Sequence, residues 1–295
     1  MANERATLIS YQFKRRMQST LADSSASIQI PWIVKREEYT YEEIAGMIDH
    51  ALLHPTLSEK ELSEGCHIAH LYSTATVCVK PCDVERASQL LANSYIGICT
   101  VIGFPHGANT QEVKVRETQL ACEQGASEVD LVLNLGRAAN GEWDYIENEV
   151  SAVLEVAHVA GSKLKVIFEN DYWAQGGAGL SADAVKEKLC QICTHAGADW
   201  VKTSTGFGYV RQADGQLAAR GATEHDVALM VRACMGMSQV KAAGGVKDLS
   251  TLLKMRTLGA TRIGTSSTQQ ILDECRSVLG LPAITSSDSQ NISNY

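Results

Sequence analysis

An α/β fold, one (β/α)₈ TIM barrel behind an N-terminal helical extension, is predicted by three features of this sequence. From about residue 41 onward, short β-branched runs alternate with helical stretches, and eight such pairs follow one another. Each run is near-continuously apolar and not strictly alternating, as expected for parallel strands covered on both faces. The first run leads into Leu52-Leu53-His54-Pro55 without a glycine. A doubly wound sheet usually has fewer strands and a Gly-rich turn after its first.

In chain order, residues 1–40 lie outside the repeat. They contain a basic patch, Lys14-Arg15-Arg16, then a Ser-rich stretch at 24–27 and the segment Ile30-Pro31-Trp32-Ile33. An arm packing on the barrel or on a partner subunit suits them better than a nucleic-acid contact. Packing on a partner would make the protein a homodimer. Residues 41–282 are assigned to the barrel, with strands expected at 47–52, 74–79, 96–102, 128–133, 164–168, 200–202, 239–242 and 262–264. Helix starts are marked by the capping-box pattern Ser58-Glu59-Lys60-Glu61, by the similar Thr223-Glu224-His225-Asp226, and by Ser181 after Gly179. Residues 283–295, Ser/Asn-rich and ending in Tyr295, are expected to form a flexible tail.

The composition bounds the partners. With 295 residues, 45% hydrophobic and 20% charged, the chain is an ordinary globular protein that can bury a core without staples. A net charge of −8 with scattered basic residues argues against nucleic acid or an anionic membrane as the main partner. An anionic substrate would need a local site. Nine cysteines, an odd number mostly inside apolar segments, read as reduced buried thiols, and Cys190-x-x-Cys193 falls on an amphipathic helix at 184–195 with no second ligand pair. The N-terminus lacks the apolar stretch of a signal peptide and no apolar run reaches spanning length, so a cytoplasmic location is expected.

Catalytic groups of a barrel project from the C-terminal ends of its strands. That rule selects Asp49, Cys78, Lys80, His106, Asp130, Asn134, Lys165, Glu169, and the segments 202–206, 241–245 and 264–267. Lys165, Lys202 and Lys241 sit in or at the ends of apolar strands, where lysine is rare unless paired or put to use. Lys202 and Lys241 fall on the sixth and seventh strands, so two inward ammonium groups would lie within a few ångströms. Like charge and desolvation both favour a neutral amine, which is what a Schiff-base nucleophile needs. Asp130, among valines and leucines, must find a partner, and the lysines are the nearest candidates. Gly244-Gly245 and Gly264-Thr265-Ser266-Ser267 follow the seventh and eighth strands, where barrels build phosphate sites from backbone N–H groups. The hydroxyls of Ser266 and Ser267 add donors there.

Six strings, Ile48-Asp49-His50, Ala75-Thr76-Val77-Cys78-Val79, Glu128-Val129-Asp130, Val201-Lys202-Thr203-Ser204-Thr205-Gly206, Lys241-Ala242-Ala243-Gly244-Gly245-Val246 and Arg262-Ile263-Gly264-Thr265-Ser266-Ser267, resemble deoxyribose-phosphate aldolases in order and spacing over about residues 44–280. The resemblance implies reversible cleavage of 2-deoxy-D-ribose 5-phosphate to D-glyceraldehyde 3-phosphate and acetaldehyde, with no metal and no cofactor beyond the covalent Schiff base. It implies that Lys202 forms that Schiff base, that Lys241 tunes it and that Asp130 relays protons. Turns at Thr205-Gly206, Gly244-Gly245 and 264–267 would hold the phosphate. Tyr295 matches members whose mobile tail ends in a tyrosine that assists proton transfer. Three departures ring the mouth of the site: Ala51 where many members have threonine, Glu169-Asn170-Asp171 where they usually have Glu-Thr, and a longer loop at 207–221. A Schiff-base aldolase or transaldolase for another phosphosugar, or an inactive phosphosugar-binding barrel, are the alternatives.

Overall fold

The computed structural model describes residues 39–211 and 215–284. Ten strands occur there: β1 (Ile48–Leu52), β2 (Thr76–Val79), β3 (Gly97–Ile102), β4 (Glu128–Val132), β5 (Lys163–Ile167), β6 (Trp200–Lys202), β7 (Val210–Arg211), β8 (Leu217–Ala218), β9 (Gln239–Ala243) and β10 (Arg262–Thr265). Eight of them close into a parallel barrel in the order β1-β10-β9-β6-β5-β4-β3-β2, while β7 and β8 form a separate antiparallel hairpin. Every barrel strand begins and ends within two residues of the expected bounds. The hairpin was not expected. It lies inside the long loop at 207–221, and its two-residue strands carry no periodicity to read.

The helices are α1 (Tyr41–Ala45), α2 (Glu59–Tyr72), α3 (Val84–Leu90), α4 (Gln111–Glu123), α5 (Leu135–Ala139), α6 (Trp143–Val159), α7 (Ala182–Ala196), α8 (Glu224–Cys234), α9 (Leu249–Thr257) and α10 (Thr268–Val278). The capping box at Ser58 is reciprocal, with Glu61 donated to by the Ser58 backbone N–H. Ser181 and Thr223 accept from the amides of Ala184 and Asp226, satisfying N–H groups the helices leave open. Strands read as apolar runs because both faces are buried: Val77, Val129, Leu131, Val166, Val201 and Ile263 have no more than 1% exposure. Cys190 and Cys193 are buried free thiols on α7, as the core reading requires. No helix among the described residues is long and apolar enough to cross a membrane. Most of the N-terminal extension at 1–40, and Tyr295 with the tail around it, lie outside the described residues.

Candidate active site

Side chains of neighbouring parallel strands that share a register position point to the same face. Lys202 on β6 is opposite Lys241 on β9, Lys241 is opposite Arg262 on β10, and Asp130 on β4 is opposite Lys165 on β5. Alternate strands therefore fill alternate layers of the barrel interior. Asp49, Cys99, Lys165 and Lys241 come from one set of four strands, and Cys78, Asp130, Lys202 and Gly264 from the other. Gly264 supplies no side chain to its layer, and a Cβ there would lie 3.2 Å from Lys241 Cε. The glycine opens a gap above Lys241, and through it that lysine reaches the pocket.

The buried charges meet at Asp130. Its Oδ2 accepts from Lys202 Nζ at 2.8 Å and Lys241 Nζ at 2.7 Å, and its Oδ1 from Lys165 Nζ at 2.8 Å and Cys99 Sγ at 3.2 Å. Lys241 also donates to Asp49. Lys165 reaches Glu128 at 2.6 Å, and Arg262 bridges Asp49 and Glu128. Three carboxylates thus face four cations, leaving one positive charge in excess. Burial opposes charge on Lys165 and Lys241, but Asp130 and Asp49 outweigh it and hold both ammonium groups above the usual lysine range. Burial likewise opposes charge on Asp130, and Lys165, Lys202 and Lys241 overcome it, holding its carboxyl well below the carboxylate range. Lys202 differs from its neighbours, since among the described residues its one ion-pair partner is Asp130.

The bare lysine–lysine repulsion expected from the strands needs correction here. Asp130 is inserted between Lys202 and Lys241, so attraction to a shared carboxylate offsets the repulsion. The excess charge resides in the cluster as a whole. Cys78, Cys99 and Asp130 approach closely enough to share a metal ion, but the Asp130 oxygens already accept from three ammonium groups. A further cation would sit among like charges.

Above the cluster lies a cavity of about 550 Å³. Its walls include Lys202, Lys241, Asp49, Cys78, Thr205, Gly206, Gly244, Gly245, Gly264, Ser266 and Ser267, which brings every expected substrate- and phosphate-binding residue to one space. Lys247, Phe207 and His54 join them. Asp130 and Lys165, both fully buried, lie just behind the wall. Ser267 is the N-cap of α10, yet its hydroxyl makes no capping bond. Burial raises Glu169 above the usual carboxylate range although Thr205 donates to it through both amide and hydroxyl. Sequence reasoning missed Cys99, Glu128 and Arg262. Their signal was a charge or thiol at an inward position two residues from, or in register with, a selected one.

A DeoC/LacD family aldolase model matches residues 44–273. A deoxyribose-phosphate aldolase of Rhodopirellula baltica is 44% identical over 247 residues, covering 84% of this chain and 95% of that one. One from Thermus thermophilus is 42% identical over 225 residues, covering 76% and 93%. Among solved structures, the tetrameric deoxyribose phosphate aldolase from Aeropyrum pernix aligns with a TM-score of 0.72 at 29% identity, covering 86% of this chain and 99% of that one. Barrel, lysine cluster and these matches agree: the chain belongs to the DeoC/LacD aldolase family.

Proposed function

We propose that the protein is a deoxyribose-phosphate aldolase, cleaving 2-deoxy-D-ribose 5-phosphate to D-glyceraldehyde 3-phosphate and acetaldehyde through a Schiff base on Lys202. The observation that carries this reading is a lysine with a single carboxylate partner, opening from a cluster with one surplus cation into a pocket ringed by Gly/Ser turns. Lys202, held by Asp130 and open to the pocket, supplies the attacking amine. It attacks C1 of the open-chain sugar, and loss of water gives an iminium. The C3 hydroxyl passes its proton through water to Asp130 and its lysines. The C2–C3 bond breaks and its electrons flow into the iminium, forming an enamine. Protonation at C2 and hydrolysis release acetaldehyde and regenerate Lys202. In this scheme the iminium is the electron sink, and no step uses a metal.

The phosphate is assigned to the turns at Gly206, Gly244-Gly245 and Gly264 to Ser267, where backbone N–H groups, the Ser266 and Ser267 hydroxyls and Lys247 can converge on an anion. A local site of this kind suits a phosphorylated aldehyde meeting a protein of net charge −8. We place the enzyme in the cytoplasm, in keeping with its free thiols. If the N-terminal arm packs on a partner subunit and not on its own barrel, the protein is a homodimer, which light scattering would show. Borohydride reduction with acetaldehyde should add a stable mass to the peptide containing Lys202, and Lys202→Ala should keep the fold while losing turnover. A label on Lys241 or Lys165, or none, would overturn the assignment.

A further inference from the structure

Two of the departures around the mouth, the Asn170-Asp171 segment after β5 and the long loop after β6, meet in the structure. Residues Asn170–Gln175 form a 3-10 turn, and Asp171 within it is 3% exposed. Its carboxylate accepts from the backbone amides of Arg220 at 2.8 Å and Gly221 at 3.0 Å, the residues at which the inserted loop returns to the barrel. Gly221 has φ +71°, and a Cβ on it would lie 2.5 Å from the Gly244 carbonyl. The amide of Ala222 donates to that same carbonyl at 3.1 Å. The outgoing end of the loop is held from the same segment, because Glu169 accepts from Thr205 and Gly208 packs against its carboxyl.

We infer that Asp171 is a positioning residue for the substrate phosphate, holding the returning loop against the Gly244–Gly245 turn so that the turn keeps its shape. The inference rests on the phosphate reading above. A buried carboxylate with two amide donors fixes both the height and the direction of the backbone it binds. The contact beneath it is glycine against glycine backbone, with no side chain to absorb a shift. Loosening Arg220 and Gly221 frees Gly244 from one side, and the amides meant for the anion lose their convergence. Asp171 lies outside the wall of the pocket and touches no reacting atom, so its effect should appear in binding of the phosphorylated end and not in the chemical step.

The test measures KM and kcat of the full-length enzyme with 2-deoxyribose 5-phosphate and with unphosphorylated 2-deoxyribose. The wild-type comparison comes first. Equal KM values for the two sugars would remove the phosphate site itself and this inference with it. Given a wild-type preference, Asp171→Asn should raise KM for the phosphorylated sugar about tenfold, the scale of one lost hydrogen bond to a charged group. The kcat and the constants for the unphosphorylated sugar should stay within about twofold. Gly221→Ala, which drives a methyl from the same loop into the Gly244 carbonyl, should produce the same selective rise. Inorganic phosphate used as a competitive inhibitor should weaken in both variants by a similar factor. An unchanged KM, or a loss shared equally by the two sugars, would overturn the proposal.

Discussion

Lysine in a closed barrel layer is expensive unless carboxylates surround it, and the seven charged groups of the cluster, Asp130 included, solve that problem collectively. Lys241 is pinned by Asp49 and Asp130 together, which hold its ammonium above the usual lysine range, so in the proposed scheme its contribution is electrostatic. Lys241→Leu should therefore leave Asp130 shared between two cations in place of three. The ammonium of Lys202 would then be better compensated, and the acidic limb of the pH–rate profile for cleavage should move to higher pH. An unmoved limb with a reduced rate would mean that Lys241 works on the substrate. The core of this site was legible because Lys202, Lys241 and Asp130 interrupt apolar strands, where a charge demands an explanation. Arg262 and Glu128 were not selected, since they open their strands and a charge at a strand start looks like a boundary. The structure turns both inward, with Arg262 stacked 4.9 Å from the Trp200 ring.

Among the elements, the end of β4 needs the firmest support, since Asp130 sits two residues before it. Lys114 on α4 and Glu149 on α6 form a fully buried pair at 2.8 Å. Lys114 also donates to the Val132 carbonyl at 2.9 Å, and Glu149 accepts from the Asn134 amide at 2.8 Å. Burial pulls Lys114 below the usual lysine range and pushes Glu149 above the carboxylate range, each only partly offset by the other. Lys114→Met leaves an unpaired buried carboxylate and should cost about 3–5 kcal/mol in urea unfolding. Adding Glu149→Gln, which removes the charge and can still accept from Asn134, should recover most of that loss. If the second change deepens it, the pair is not what holds these helices to β4. The eight strands could be read from hydrophobicity because burial on both faces leaves a continuous apolar run. Neither this pair nor the β7–β8 hairpin could be. Lys114 and Glu149 each look like one more polar residue on an amphipathic helix, and only packing shows that they face inward.

At the scale of the whole molecule, the barrel closes where β1 meets β10, and His50 is part of that closure. On the first strand, its Nδ1 lies 2.8 Å from Thr268 Oγ1 at the start of the last helix, 218 residues along the chain. Its Nε2 is buried without a hydrogen-bond partner among the described residues. Burial depresses His50 from 6.5 to about 4, so between those values the unfolded chain binds a proton that the folded protein excludes. Stability from this residue is complete above pH 6.5 and is lost as pH falls towards 4. At about 1.4 kcal/mol per unit, the loss approaches roughly 3 kcal/mol. Asp49 and Asp130 stay ionised throughout this window, whereas the raised carboxyls of Glu149 and Glu169 work in the opposite direction. Subtracting the urea unfolding curves of His50→Leu from those of the wild type, taken from pH 7 to pH 4.5, isolates the histidine. The difference should shrink steadily with acid, because leucine has no proton to gain on unfolding. A difference that stays constant over that range would show that His50 takes up its proton inside the folded barrel, and the acid sensitivity of the closure would then have to come from another group.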